Sequence, residues 1–202
     1  VDGSELLQTV FESNGRGALF LVSHHGNFDL SIVRSDSVPE KRFNIVMDTS
    51  RTRIFNQFRD NLFKSEQVRF VAPEDIDAME IMKLIRRIEE GEIIVIAADR
   101  TGSADGANTV EVPFLGDPAQ FPIGPWVLAH VLEISVYTLF ARMEGRECRV
   151  QFELFADHVH LPRNSRQKEL HSLAGRYASR LEDQCFAAPL DWFNFYDFWR
   201  LN

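Results

Sequence analysis

The sequence predicts an α/β protein: a mostly parallel central sheet flanked by helices, ending in an antiparallel hairpin and a last helix. Three observations point there. In the first half, short apolar runs rich in β-branched residues alternate with segments of helical period, the order of a parallel sheet with crossover connections. Those runs are nearly continuous in hydrophobicity, as strands covered on both faces are. Near the C-terminus two further apolar runs stand only a few turn residues apart, which is hairpin spacing.

Taken in order, "GALFLVS" (17 to 23), "RFNIVMD" (42 to 48), "VRFVA" (68 to 72) and "EIIVIAA" (92 to 98) read as the buried strands. "RTRIFNQFRDNLF" (51 to 63) and "DIDAMEIMKLIRRIEEGE" (75 to 92) read as helices. The second carries Ile81, Leu84, Ile85 and Ile88 at helical spacing, with Asp75 or Asp77 placed to cap its start and Gly91 to end it. A Pro/Gly-rich segment, "VPFLGDPAQFPIGP" (112 to 125), leads into an apolar helix around Trp126 to Glu133. "SVYTLFARME" and "ECRVQFELF" follow, joined at Glu144-Gly145-Arg146, and an amphipathic helix from about Arg166 to Cys185 precedes an aromatic tail. No internal repeat or low-complexity linker interrupts the chain.

The 202 residues, 45% of them hydrophobic, suffice for one sizeable core, so residues 1–202 read as a single domain. The net charge of −8, with basic residues scattered in local clusters, disfavours nucleic acid as a partner. Two distant cysteines, Cys148 and Cys185, form neither a disulfide framework nor a zinc motif and suggest a reducing, cytosolic setting. No run approaches the ~20 apolar residues of a membrane span. "VDGSELLQ" lacks the layout of a signal peptide, so the chain is expected to be soluble. The tail "DWFNFYDFWR" (191 to 200) either closes over the core or offers Trp192, Phe193, Phe195 and Trp199 to a lipid surface.

Chemistry concentrates in "SHHGNFDL" (23 to 30), where a buried strand gives way to a loop. Carboxyl ends of parallel strands are where α/β sheets bind ligands. His24 can take a proton from a hydroxyl or an amine, and Asp29, across the strand-to-helix turn, can hold the ring's other nitrogen and stabilise the imidazolium. Gly26 allows a close backbone approach to a ligand or a neighbour. No G-x-S-x-G elbow occurs, and Ser23 is too close in sequence to His24 to serve as its nucleophile, so the nucleophile is expected to be the substrate's own hydroxyl. A second group, "AADRTG" (97 to 102), ends another buried strand. Its Arg100 is either a surface ion-pair partner or a forked donor for a phosphate or a polarised carbonyl.

These residues carry a family resemblance. His24, four residues and Asp29 resemble the H-x4-D/E motif of the lysophospholipid acyltransferase superfamily, and "HHGNFD" resembles the form it takes in the lipid A biosynthesis (late, lauroyl/myristoyl) branch. "RTRIFNQFRD", "EEGEIIVIAADRTG" and "VEVPFLGDPAQFPIGPWVLA" resemble later segments of that branch in the same order, from about residue 15 to 188. The branch's N-terminal hydrophobic anchor is not among the segments matched, so membrane attachment is expected to come from a surface patch. In place of a Trp-x-His-Arg-Arg ending stands "DWFNFYDFW", which is similar to acyltransferases of aryl-polyene and flexirubin pigment clusters.

The resemblance implies a glycerol-3-phosphate acyltransferase-like fold and transfer of a fatty acyl group from an acyl carrier protein or coenzyme A thioester to a hydroxyl of a lipid or glycolipid. It implies His24 as general base and Asp29 as its orienting acid, with direct attack and no acyl-enzyme, and neither cofactor nor metal. Asn27 and the Gly26 backbone would position the pair or the developing oxyanion. Arg100, Arg51 and Arg53 would hold a phosphate or the carrier's phosphopantetheine, and Arg59 and Lys64 would extend a basic face for the acidic carrier. The setting implied is peripheral, on the cytoplasmic side of a bacterial inner membrane. Two other readings stand beside it: a non-catalytic lipid- or carrier-binding module of the same fold, and a metal hydrolase joining His24, His25 and Asp29 to "DHVH" (157 to 160).

Overall fold

The computed structural model describes residues 2–12, 15–26, 41–47, 67–101, 108–144, 147–194 and 197–199. A six-stranded sheet organises them, with spatial order β3-β2-β4-β1-β7-β8. Its strands are β1 (Leu19–Val22), β2 (Phe43–Val46), β3 (Val68–Val71), β4 (Ile93–Ala97), β7 (Val136–Glu144) and β8 (Glu147–Ala156). Every neighbouring pair is parallel except β7 with β8, the antiparallel hairpin at one edge. The α/β class, the four early strands and the late hairpin therefore stand as the sequence predicts.

Burial on both faces explains the unbroken apolar runs. Leu19, Leu21, Val46, Val71 and Ile94 enter one hydrophobic core. The alternate residues Phe20, Val22, Phe43, Ile45, Val68, Ile93 and Val95 enter another on the opposite face. Each buried Leu, Ile, Val or Phe side chain contributes roughly 1.5–3 kcal/mol relative to exposure.

Three helices pack on the first core. In α2 (Ala78–Glu89) Leu84 and Ile88 are buried, while Asp77 caps its start by accepting from the Glu80 N–H at 2.8 Å. A short 3-10 turn, Pro73–Asp75, precedes it, so of the two aspartates proposed as caps Asp77 holds the position. Gly91, with φ of +81°, ends the helix run as its left-handed freedom allows. The other two are α3 (Gly124–Leu132) and the 22-residue α4 (Arg166–Ala187).

Two elements are additional to the sequence reading. Helix α1 (Ser4–Glu12) packs Leu6, Leu7, Val10 and Phe11 on the second core. The Pro/Gly-rich segment is largely a two-stranded ribbon of β5 (Thr109–Phe114) and β6 (Asp117–Pro122), with Pro113 opposite Pro118. Proline reads as a strand breaker, yet a ribbon with open edges tolerates its missing N–H. Leu115 and Gly116, at φ of +53° and +93°, make the two-residue turn. The Leu115 N–H donates to the Glu182 carboxylate, which ties the turn to α4.

The predicted helix at 51 to 63, and with it Arg51, Arg53, Arg59 and Lys64, lies outside the described residues.

Candidate active site

Strands β1 and β4 are parallel neighbours in the middle of the sheet, with Val22 opposite Ala97. Two residues beyond each strand end stand His24 and Asp99, and they meet. The His24 backbone N–H donates to Asp99 Oδ2 at 2.7 Å, and His24 Nδ1 lies 2.9 Å from Asp99 Oδ1. One carboxylate thus grips the residue at both backbone and ring. The Asp99 side chain is 1% exposed and that of His24 29% exposed, so the acid is sealed beneath an imidazole that reaches the surface. With Nδ1 as the N–H facing the carboxylate, Nε2 is the basic nitrogen, the tautomer a general base requires.

In the sequence the "AADRTG" segment stands out for Arg100, whereas the described geometry makes its Asp99 the partner of His24. The available signal was positional: each of two buried strands is followed, at the same offset, by a residue of acid–base chemistry. Asp29 and Asn27 lie outside the described residues.

The neighbouring groups are structural. His25 is buried, and its Nε2 lies 3.0 Å from the Ala188 carbonyl while Nδ1 has no hydrogen-bond partner among the described residues. Nε2 is therefore the donor, and burial pushes this imidazole below its ordinary pKa, outweighing the opposing pull of the Ala188 carbonyl and of Asp191. Gly26, at φ of +69°, lies so close to β7 that a Cβ there would stand 1.5 Å from the Ala141 carbonyl oxygen. The close approach is thus to a neighbouring strand. The Gly26 N–H, a candidate oxyanion donor from the sequence, is committed to the Asp191 carbonyl at 2.7 Å.

Tyr177 of α4 donates its hydroxyl to the Val22 carbonyl at 2.7 Å, pinning the end of β1 from below. Burial, followed by the charge of Asp99, raises its pKa well above the ordinary range and keeps it a donor. Cys185, also buried, has its thiol pushed up to about 12 by burial and then by Asp99 and Glu182, so it is no nucleophile near neutrality. Arg100 is exposed and donates to the Phe193 carbonyl at 3.0 Å.

The aromatic tail divides. Phe198 is buried, and Trp192 and Trp199 are partly buried around Phe114, whereas Phe193 is 45% exposed. Phe195 lies outside the described residues. Among the described residues no three His, Cys, Asp or Glu side chains are grouped to hold a metal ion. His130 and His160 face each other with ring centroids 5.7 Å apart, and His130 Nδ1 bonds the Val159 carbonyl at 3.2 Å.

A parallel α/β sheet bearing a carboxylate-backed imidazole at the ends of its central strands has the geometry that acid–base chemistry on a bound substrate requires. The family model described as bacterial lipid A biosynthesis acyltransferase matches residues 1–201, and the chain belongs to that family. It is accordingly an acyltransferase of the lipid A biosynthesis type. Compared with curated proteins, the chain finds no match. Among the described residues no helix is long and apolar enough to cross a membrane.

Proposed function

We propose that the protein transfers a fatty acyl group from an acyl carrier protein or coenzyme A thioester to a hydroxyl of a lipid or glycolipid acceptor. The observation that carries this reading is the His24–Asp99 contact, in which one ring nitrogen is braced by a sealed carboxylate while the ring itself reaches the surface. In the proposed reaction His24 Nε2 removes the acceptor's hydroxyl proton as the oxygen attacks the thioester carbonyl. The tetrahedral intermediate collapses, expelling the thiol leaving group, which takes the proton back from the imidazolium. Asp99 stabilises the imidazolium between those steps. Asp29 of the H-x4-D motif is a second proposed acid for the same ring.

Direct transfer without an acyl-enzyme fits the neighbouring groups. The Cys185 thiol stays protonated, and Ser23 is 1% exposed with its Oγ accepting from the His25 N–H at 3.2 Å. Arg100 at the rim, with Arg51 and Arg53, is proposed to hold the phosphate of the phosphopantetheine arm or of the acceptor, and Asn27 to position the reacting groups. Attachment to the cytoplasmic face of the inner membrane is proposed to be peripheral, through exposed Phe193, Leu190 and Phe186.

The deciding experiment follows thiol release from an acyl carrier protein thioester in the presence of an acceptor alcohol. His24→Ala is expected to lower turnover by ~10²- to 10⁴-fold while the fold persists. Undiminished turnover in a folded His24→Ala protein overturns the mechanism.

A further inference from the structure

The segment from Ala188 to Asn194 touches nearly every residue of the His24–Asp99 site. The 3-10 turn Pro189–Asp191 lies beside the first loop, where the Asp191 carbonyl accepts from the Gly26 N–H and the Ala188 carbonyl from His25 Nε2. One residue further, Trp192 bridges to His25, and Phe193 donates its N–H to the His24 carbonyl at 2.9 Å. On the second loop, Arg100 donates to the Phe193 carbonyl. Between the two loops, the Trp192 indole Nε1–H donates to Asp99 Oδ2 at 3.3 Å, on the oxygen that also receives the His24 backbone N–H. The ring is held for this by edge contacts with Phe114 and Phe198, centroids 5.2 and 4.9 Å away.

We propose that Trp192 is a positioning residue for the reaction: its indole N–H orients the buried Asp99 carboxylate, so that the C-terminal segment is a working part of the active site. The inference rests on the acid–base role assigned to His24 above. The Asp99 side chain is buried, and each N–H it accepts both offsets the loss of water and restricts its rotation. Among the described residues two of its donors come from His24 itself, and the indole arrives from elsewhere. Without it, Oδ2 loses a donor, and the carboxylate turns its charge more fully on the imidazole.

The test is Trp192→Phe, which keeps an aromatic ring against Phe114 and Phe198 and removes the donor together with part of the indole's bulk. Two readouts separate positioning from mere packing. The turnover number is expected to fall about 3- to 10-fold, a hydrogen bond's worth, with KM for the thioester unchanged. The acid limb of the pH–rate profile is expected to move to higher pH, because a less satisfied carboxylate favours the imidazolium. Histidine side-chain ¹⁵N NMR of the substrate-free protein follows the same displacement in the His24 ring without reference to activity, and Trp192→His, which restores a ring N–H, is expected to recover part of it.

A Trp192→Phe protein whose His24 ring signals, turnover and pH profile match the parent overturns the inference. Equal losses in both variants, with His24 signals unmoved, assign Trp192 to packing alone and also overturn it. Should His24→Ala retain turnover while Trp192→Phe still displaces the His24 signals, the catalytic reading falls and the Trp192–Asp99–His24 linkage stands as structural.

Discussion

The strand β4 carries a buried carboxylate at each end, and the two are handled differently. Before it, Glu92 is 3% exposed and faces cations: Arg69 lies 2.6 Å away and Arg42 3.7 Å, with Asn44 donating at 2.9 Å. Arg87 extends the group by bonding both Asn44 and Glu80. After it, Asp99 is 2% exposed, and its described partners are a backbone N–H, an indole N–H and an imidazole. The guanidinium groups that face Glu92 keep their charge at any accessible pH. The partner of Asp99 is an imidazole, a group able to gain and lose a proton, and on the proposed mechanism the same kind of buried acid is a chemical device at one end of the strand and a fastening at the other.

The largest effect that would break this contrast is expected from Asp99→Asn. An amide in that place can turn its NH₂ toward Nδ1 and select the wrong imidazole tautomer, for which a loss of turnover near ~10⁴-fold is the precedent in histidine–aspartate pairs. Its melting temperature is expected to move little. An Asp99→Asn enzyme at parental turnover would reduce the two acids to equivalents.

Glu92→Gln should show the reverse. Arg69 and Arg42 are 39% and 55% exposed and can turn to water, so the cost is expected to be about 1–3 kcal/mol in a urea melt, with kcat unchanged. Loss of turnover without loss of stability would contradict the assignment of that end as structural.

The second imidazole sharpens the comparison through pH. His25 has a folded pKa below its ordinary 6.5, because burial disfavours its charged form. The unfolded chain therefore binds the extra proton first, and the stability His25 contributes is complete above about pH 6.5 and declines as pH falls toward its lower folded value. Urea melts from pH 8 to pH 5 are expected to lose stability on the acid side, and His25→Gln to lose less over that window. The smallest effect is expected at the surface: Phe186→Ser, at a side chain 73% exposed, should weaken flotation with anionic liposomes a few-fold and leave turnover on a soluble acceptor intact.

Much of the fold is legible because the evidence for it is local. The runs containing Leu19, Phe43, Val68 and Ile93 declare themselves by continuous hydrophobicity, and the cap, to within Asp75 or Asp77, by its place before an amphipathic run. His24 is legible too, standing at a strand end in a recognisable motif. Asp99 is not, since its contact with His24 spans 75 positions and depends on β4 lying beside β1, which no local pattern encodes. Trp192, 93 positions from Asp99, is hidden for the same reason, and its aromatic neighbours suggest packing or lipid before they suggest a hydrogen bond. The β5–β6 ribbon was masked by its prolines, whose usual meaning reverses in an open-edged pair.

The pairing of β1 with β4 also decides between the two adjacent histidines. A slip of one residue would bring His25 level with Asp99 in place of His24, and would at the same time turn Leu19 and Leu21 out of one core and Phe20 and Val22 out of the other. The apolar side chains that set the strand alignment therefore act as a caliper for the chemistry. An error large enough to present the wrong imidazole would also forfeit the packing on both faces of the sheet.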